Sequence, residues 1–178
     1  MWRAAGIVAI ALPLAACSVP YVPGVTSPPP MAGVTLKDLN GAVVGSGVFL
    51  QESDGVRILL DVKGLPPGVK GVHIHDVGRC VPPFDSAGPH FNPTKAMHGM
   101  DNPKGPHAGD LPNIEVDANG AGHLEFTNTR ITLKPGPNSI IDDNGSSLVV
   151  HENPDDGRTD PAGNSGKRIA CGVIVQGG

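Results

Sequence analysis

The sequence has few aromatic side chains and no long apolar segment beyond its first residues. Among 178 residues it contains four Phe, one Tyr and one Trp, so a hydrophobic core must be built from Val, Leu and Ile. After residue 17, no stretch approaches the ~20 consecutive apolar residues that a membrane-spanning helix requires. We therefore expect no transmembrane helix in that part of the chain.

Basic residues are also scarce, and they are not clustered. The chain has 13 Lys and Arg against 17 Asp and Glu, which gives a formal net charge of −4. Proteins that bind nucleic acid usually present a basic patch or stripe. The sequence therefore argues against nucleic acid as a partner.

The N-terminus resembles an export signal. Met1–Arg3 carries one positive charge, and Ala4–Ala16 is apolar over a length typical of a signal peptide. The small residues before Cys17 resemble a bacterial lipobox, in which that cysteine is lipidated. We expect residues 1–16 to be the signal peptide and Cys17 to carry a membrane anchor in the cell envelope. The alternative is a plain secretory signal in which Cys17 has no role.

Residues 17–32 are rich in proline and poor in core-forming side chains, which predicts an extended tether. A Pro-rich recognition motif is the alternative for the same segment. The folded domain is then expected at residues 33–178.

Apolar residues alternate with polar ones along that domain, which is typical of β-strands. Val56, Ile58, Leu60 and Val62 alternate clearly, and Asn40-Gly41 is a strong hairpin signal. About eight short strands and no helix predict an antiparallel sandwich or barrel. The predicted strands are 34–36, 44–51, 56–62, 72–77, 114–116, 122–127, 130–133, 147–151 and 168–175. A longer crossing is expected at 65–68.

Two long segments, Gly78–Leu111 and Glu152–Lys167, do not fit the strand pattern. Both are rich in Gly, Pro and Asp. Loops of this length in a small domain are usually functional or disordered. We expect the first to hold ligands.

Histidine is concentrated in one window, 72–112, which contains five of the seven histidines. His73 and His75 are two residues apart on a predicted strand, so both imidazoles point to one face. His98, His107 and Asp110 follow in the loop, and three nitrogens with one oxygen suit tetrahedral zinc. An all-histidine set would instead suit copper. His90 could belong to either set, and His151 could add another nitrogen.

At this point the sequence resembles the copper/zinc superoxide dismutase family. The resemblance covers roughly residues 34–175, with the motifs in family order. The matching segments are Gly71–His75, Ser86–Pro93, His98-Gly99, His107–Asn113, Val149–Glu152 and Gly163–Val173.

The resemblance implies the fold, the cofactors and their ligands. The fold would be an all-β, eight-stranded, Greek-key barrel or sandwich, immunoglobulin-like, with two long functional loops. Each subunit would bind one copper and one zinc. The implied copper ligands are His73, His75, His90 and His151, and the implied zinc ligands are His90, His98, His107 and Asp110. His90 would be shared between the metals and would be a catalytic residue together with Arg168.

Other residues take roles from the same resemblance. Asp155 would link a copper-site histidine to a zinc-site histidine, and the alternative is a solvated loop acid. Arg168 would be the cation that attracts the anionic substrate. Cys80 and Cys171 would form a disulfide, as two cysteines of an exported protein commonly do.

The activity implied is the dismutation of superoxide to oxygen and hydrogen peroxide, in the periplasm or cell envelope. An inactive metal-binding or metal-buffering lipoprotein of the same fold is the alternative. The resemblance allows a homodimer but does not indicate its interface. The chain departs from many members in a longer run at 81–85, an irregular 100–106 segment, and a short 152–167 loop with few cations.

Overall fold

The computed structural model describes residues 29–177, which form ten β-strands and one 3-10 helix, Asp85–Ala87. The strands are β1 (Met31–Asp38), β2 (Val43–Gln51), β3 (Val56–Val62), β4 (Gly68–Lys70), β5 (Val72–His75), β6 (Ile114–Val116), β7 (Gly122–Asn128), β8 (Ser147–His151), β9 (Arg168–Val173) and β10 (Val175–Gln176). Within residues 29–177, no helix is long and apolar enough to cross a bilayer. The N-terminal signal, Cys17 and most of the tether lie outside the described residues.

The alternating apolar residues of the sequence form the buried face of the sheet. On β3, the side chains of Val56, Ile58, Leu60 and Val62 are buried, while Asp61 faces solvent. Antiparallel β2 and β7 flank β3 on either side. The main core is almost entirely aliphatic, as the composition predicts, and Phe49 and Phe91 are the buried aromatic residues that it contains.

The strand order is β5-β8-β9-β1-β2-β3-β7, with β10 beside β1, and β4 pairs separately with β6. Strands β1 to β3 are consecutive neighbours, whereas the chain leaves β3 and later returns to it as β7. The long connections between non-consecutive neighbours make this a Greek-key arrangement. The predicted antiparallel barrel or sandwich is confirmed. The order also sets β5 beside β8, although more than 70 residues separate them.

Four local expectations were wrong. The segment after Pro67 is not only a crossing, since Gly68–Lys70 is a strand whose partner, β6, lies far away in sequence. Segment 130–133 is not a strand, and its Thr132 makes only an isolated bridge. Strand β5 ends at His75, two residues earlier than expected. Strand β1 begins at Met31, so two residues assigned to the tether belong to the sheet.

Candidate metal centre

Strand β5 contributes alternate side chains to the hydrophobic core and to the candidate metal site. Val72 and Ile74 pack in the hydrophobic core, and His73 and His75 alternate with them. Both histidines are completely buried, because the long loop after β5 covers them. The loop runs along β5: Ile74 N donates to Gly109 O at 2.9 Å, and Ile74 O accepts from Phe91 N at 2.9 Å.

One donor group consists of His73, His75, His90 and His151. One nitrogen from each ring lies within 4.8 Å of the others, and all four side chains are buried. Strand β5 supplies the first two and the end of β8 supplies His151, so strand pairing brings the middle of the chain against a strand more than 70 residues later. The structure therefore gathers the four residues predicted to bind copper.

The second nitrogen of each ring in this group faces an oxygen that only accepts hydrogen bonds. The distances are 2.7 Å from His73 Nε2 to Asp155 Oδ2, 2.9 Å from His75 Nδ1 to Gly88 O, 3.0 Å from His90 Nδ1 to Asp110 Oδ1, and 3.3 Å from His151 Nδ1 to Gly166 O. These nitrogens must carry the proton in neutral rings, so the opposite nitrogens present lone pairs.

Those opposite nitrogens are buried and have no hydrogen-bond partner: His73 Nδ1, His75 Nε2, His90 Nε2 and His151 Nε2. Buried polar atoms normally have a partner, and an orphan of this kind needs an explanation. Four imidazole lone pairs that converge without a donor fit a bound metal ion, and the all-nitrogen set fits copper.

A second donor group surrounds Asp110. Its Oδ1 lies 3.0 Å from His90 Nδ1, 3.1 Å from His98 Nδ1 and 3.4 Å from His107 Nδ1. Its Oδ2 accepts from the backbone N–H groups of Gly99 and His107, both at 2.9 Å. Three ring nitrogens around one carboxylate oxygen fit the N3O set of a structural zinc site.

Proximity alone would choose a slightly different set. The donor atoms within 4.8 Å of one another are those of His73, His90, His98 and Asp110, with His73 in the place of His107. However, both nitrogens of His73 already have a role, one toward Asp155 and one in the all-histidine group. We therefore retain His107, whose Nδ1 also lies 3.4 Å from His90 Nδ1.

Asp155 lies beneath both groups and joins them. Its two oxygens reach His73 Nε2 at 2.7 Å and His98 Nε2 at 3.0 Å. A Cβ at Gly163 would collide with Asp155 Oδ1, so the absence of a side chain there lets the carboxylate fit. A carboxylate in this position fixes which nitrogen of each ring is free for a metal.

The pKa values of the histidines follow their surroundings. Burial lowers the pKa of His90 to about 4 and that of His151 to about 3, so these rings are neutral at pH 7. Burial would also lower the pKa of His98, but the carboxylates of Asp110 and Asp155 on its two sides raise it to about 9. Burial opposes ionisation of Asp155, yet hydrogen bonds from His73 and His98 hold the pKa of that carboxyl well below its usual range.

A cavity of about 690 Å³ opens over the all-histidine group. His75, His90 and His151 lie at its wall, together with Arg168, Asp76 and Asp85. Arg168 Nη1 donates to Phe84 O at 2.7 Å and Nη2 donates to Gly88 O at 2.8 Å, so the guanidinium is held in place. A second cavity, of about 710 Å³, lies over the Cys80–Cys171 bond and contains none of the metal-group residues.

Cys80 and Cys171 form a disulfide, as predicted, and this bond joins the ligand loop, Gly78–Leu111, to β9. Phe84, Ala87 and Val149 pack around it in a small separate cluster. The run at 81–85, which is longer than in many family members, lies beside this bond. It brings Phe84 into this cluster, and the carbonyl of the same residue holds Arg168.

Sequence reasoning missed the groups that orient the ligands through the backbone. The carbonyls of Gly88 and Gly166 select the tautomers of His75 and His151. Asp160 Oδ1 accepts from the backbone N–H of His98 at 2.5 Å. A backbone carbonyl has no sequence signature, and nothing distinguishes Asp160 from other loop acids. His123 lies outside both groups and forms an exposed pair with Asp61 at 2.8 Å.

Comparisons with known proteins agree on one family. The family described as copper/zinc superoxide dismutase (SODC) matches residues 43–174. A Cu-Zn superoxide dismutase of Aquifex aeolicus is 49% identical over 146 residues, which is 80% of this chain and 85% of that protein. A Cu-Zn superoxide dismutase of Caulobacter vibrioides is 41% identical, over 80% of this chain and 84% of that protein.

A solved structure shows the same fold. A superoxide dismutase-like protein from Bacillus subtilis superposes with a TM-score of 0.77 at 40% identity, over 80% of this chain and 97% of that chain. Residues 43–174, which the family model matches, contain both donor groups, the disulfide and Arg168. The chain belongs to the copper/zinc superoxide dismutase family.

Proposed function

We propose that this protein dismutes superoxide at a copper held by His73, His75, His90 and His151. Zinc is held beside it by His90, His98, His107 and Asp110, with one ion of each metal per subunit. The observation that carries the proposal is the convergence of four buried imidazole lone pairs that have no partner in the protein. The donor chemistry of both groups fits these metals.

The overall reaction converts two superoxide anions and two protons into oxygen and hydrogen peroxide. Bound copper supplies the one-electron redox chemistry that both halves of this reaction need. The residues of the chain bind the anion, keep the ligand rings in one orientation and bury them away from bulk water. His90 is common to both donor groups, with Nε2 facing one and Nδ1 facing the other.

Arg168 is the residue that draws the anion into the cavity. The whole chain carries a formal charge of −4, so the average field repels superoxide. A fixed local cation overcomes that repulsion at short range, where the cavity focuses its field. The carbonyls of Phe84 and Gly88 hold the guanidinium at the cavity wall, beside the ring of His75 and the opening of the all-histidine group.

We also propose that the protein acts in the cell envelope. The support is the N-terminal pattern: an apolar signal at 1–16, a cysteine at the lipobox position and a proline-rich tether before the folded domain. Lipidation of Cys17 would anchor the chain to a membrane and leave the catalytic domain free on the tether. A homodimer remains compatible with this arrangement.

Metal analysis combined with a superoxide decay assay tests the catalytic proposal. We expect the purified full chain to bind about one copper and one zinc per subunit. The rate of superoxide decay should then approach the diffusional range of ~10⁹ M⁻¹s⁻¹.

Two variants test whether copper binding and dismutation depend on a histidine of the all-histidine group in particular. His151→Ala removes one lone pair of the all-histidine group, so copper affinity and dismutation should both fall. His123→Ala removes an exposed histidine outside both groups and should change neither. If wild-type protein binds both metals without dismuting superoxide, the protein is the inactive metal-binding lipoprotein instead.

A further inference from the structure

The end of strand β7 holds the backbone of the segment that carries two proposed zinc ligands. Asn128, the last residue of β7, is completely buried, and its Nδ2 donates to Ala108 O at 2.8 Å. Arg130 Nη2 donates to Asp110 O at 3.0 Å. Two side chains from one strand end therefore contact the segment from His107 to Asp110.

Asn128 is itself fixed by the barrel. It pairs with Val56 in the β3–β7 ladder, and its Oδ1 accepts from Arg130 N at 2.9 Å. The turn before β3 packs against it, because a Cβ at Gly55 would lie only 2.6 Å from Asn128 O. The Asn128 side-chain amide therefore fixes the turn that leads to Arg130 and also binds the backbone of the His107–Asp110 segment. Asn128 is held in place by its pairing in the β3–β7 ladder.

Arg130 has no conventional ion-pair partner. Among residues 29–177, no carboxylate oxygen lies within 4.0 Å of its guanidinium nitrogens. Its Nε is buried without a hydrogen-bond partner. Burying part of a cation costs free energy unless something compensates. The nearby residue that can compensate is Asp110, whose buried carboxylate lies at the centre of the second donor group.

We propose that Asn128 and Arg130 are positioning residues for zinc. They hold the Ala108–Asp110 backbone so that the Asp110 carboxylate already faces the three ring nitrogens before the ion binds. Without them, the loop would become ordered only when zinc binds. The conformational entropy lost in that step would make the free energy of zinc binding less favourable. The inference rests on the zinc ligand set proposed above.

Zinc competition titrations of the full chain test this role. Loss of residues that orient ligands typically costs about 10–100-fold in metal affinity, and we expect a loss in that range for Arg130→Gln. Arg130→Lys keeps the charge and one donor, so it should recover part of the affinity. Asn128→Asp keeps the acceptor for Arg130 N but loses the donor to Ala108 O, so it should weaken zinc binding as well.

Arg57→Gln is the matched control. Arg57 is a β3 arginine whose side chain is 42% exposed and pairs with Glu125 on the surface. Its removal should leave zinc affinity within about twofold of wild type, since it contacts no loop residue that binds metal. The absorption spectrum of the cobalt-substituted protein provides a second readout, because a displaced carboxylate changes the d–d bands of a tetrahedral site.

Zinc affinity within about twofold of wild type in Arg130→Gln would overturn the inference, even if the metal-free variant melted at a lower temperature. If that variant does not fold, the same criterion applies to Asn128→Asp, which loses the hydrogen bond to Ala108 O. Failure of the proposed function looks different: Asp110→Asn would then bind zinc as tightly as wild type.

Discussion

In the proposed function, Arg168 is the residue on which substrate capture depends most. It lines the cavity together with two carboxylates, Asp76 and Asp85, and both terminal nitrogens of its guanidinium are held by carbonyls. The 152–167 loop adds only Arg158 as a cation, with Lys167 at its end, and neither residue lines this cavity. A single fixed charge therefore supplies most of the local attraction for an anion.

Arg168→Gln should accordingly lower kcat/KM by about 10-fold or more, within the range that electrostatic steering provides. The decrease of the rate with rising ionic strength should also become shallower, because screening then has less attraction to remove. Superoxide decay measured from low to high salt checks both effects. Arg57→Gln serves as control, and equal rates for Arg168→Gln and wild type would remove Arg168 from the mechanism.

His98 differs from the other rings because a carboxylate lies on each side of it. Its pKa of about 9 means that the metal-free protein holds a proton there at pH 7.5. Zinc bound through Nδ1 must displace that proton, since a metal ligand is deprotonated. The pKa values of His90 and His151 are about 4 and about 3, so those rings are already neutral at this pH. Zinc binding at His90 Nδ1 then needs only a shift of the ring proton to Nε2, with no net release of a proton.

Zinc added to metal-free protein at pH 7.5 should therefore release about one proton, and above pH 10 almost none. A pH-stat titration measures this directly. Zinc affinity should rise with pH up to about 9, because below the pKa of His98 zinc must compete with the proton on that ring. Zinc uptake without proton release at pH 7.5 would contradict the charge state assigned to His98.

The strands were largely predictable because their alternation is local. Val56 to Val62 and the pair His73 and His75 follow a period of two that the structure reproduces. Strand β4 was not predictable, because Gly68–Lys70 has no apolar pattern and depends on its pairing with distant β6. Ile131 and Leu133 suggested a strand because they alternate, yet they are buried without a ladder.

The ligand set was predicted from motifs, but its orientation was not. The sequence placed His151 on an apolar strand, and only the order β5-β8-β9 brings it against His73 and His75. The carbonyls of Gly88 and Gly166 depend on loop conformation, which no residue pattern encodes. Long-range geometry is therefore the part that sequence reasoning could not supply.

The disulfide fastens the ligand loop to β9 across 91 residues of sequence. Closing a loop of this length stabilises the folded state by about 4–5 kcal/mol in the chain-entropy model. Cys80→Ser combined with Cys171→Ser should lower the free energy of unfolding of the metal-free protein by about that amount, as measured in urea. Activity should fall as well, because Phe84 packs beside the bond and its carbonyl holds Arg168. An unchanged free energy of unfolding would contradict a stabilising role.

At the scale of the whole molecule, the proposed lipid anchor at Cys17 would determine where the domain acts. Cys17→Ser should prevent lipidation, so that the protein moves from the membrane fraction to the soluble fraction of a bacterial host while its activity per molecule is unchanged. Fractionation followed by immunoblotting and a superoxide assay checks this expectation. A protein that stays with the membrane after this change would contradict anchoring through Cys17.

The proposed catalytic site is assembled from distant parts of the chain. His73, His75 and His90 come from the middle of the chain, whereas His151, Arg168 and Cys171 come from its last strands. Neither part alone contains the complete all-histidine group. A complete copper set should therefore exist only when the barrel is closed.

The number of nitrogens bound to copper tests this account most directly. Electron paramagnetic resonance of the full chain loaded with Cu(II) and zinc should show coupling to about four imidazole nitrogens, consistent with an all-nitrogen copper set. His151→Ala should show one fewer, and His123→Ala should match wild type. Full nitrogen coupling in His151→Ala, or unchanged copper affinity in that variant, would show that the copper ligands are not those the fold brings together.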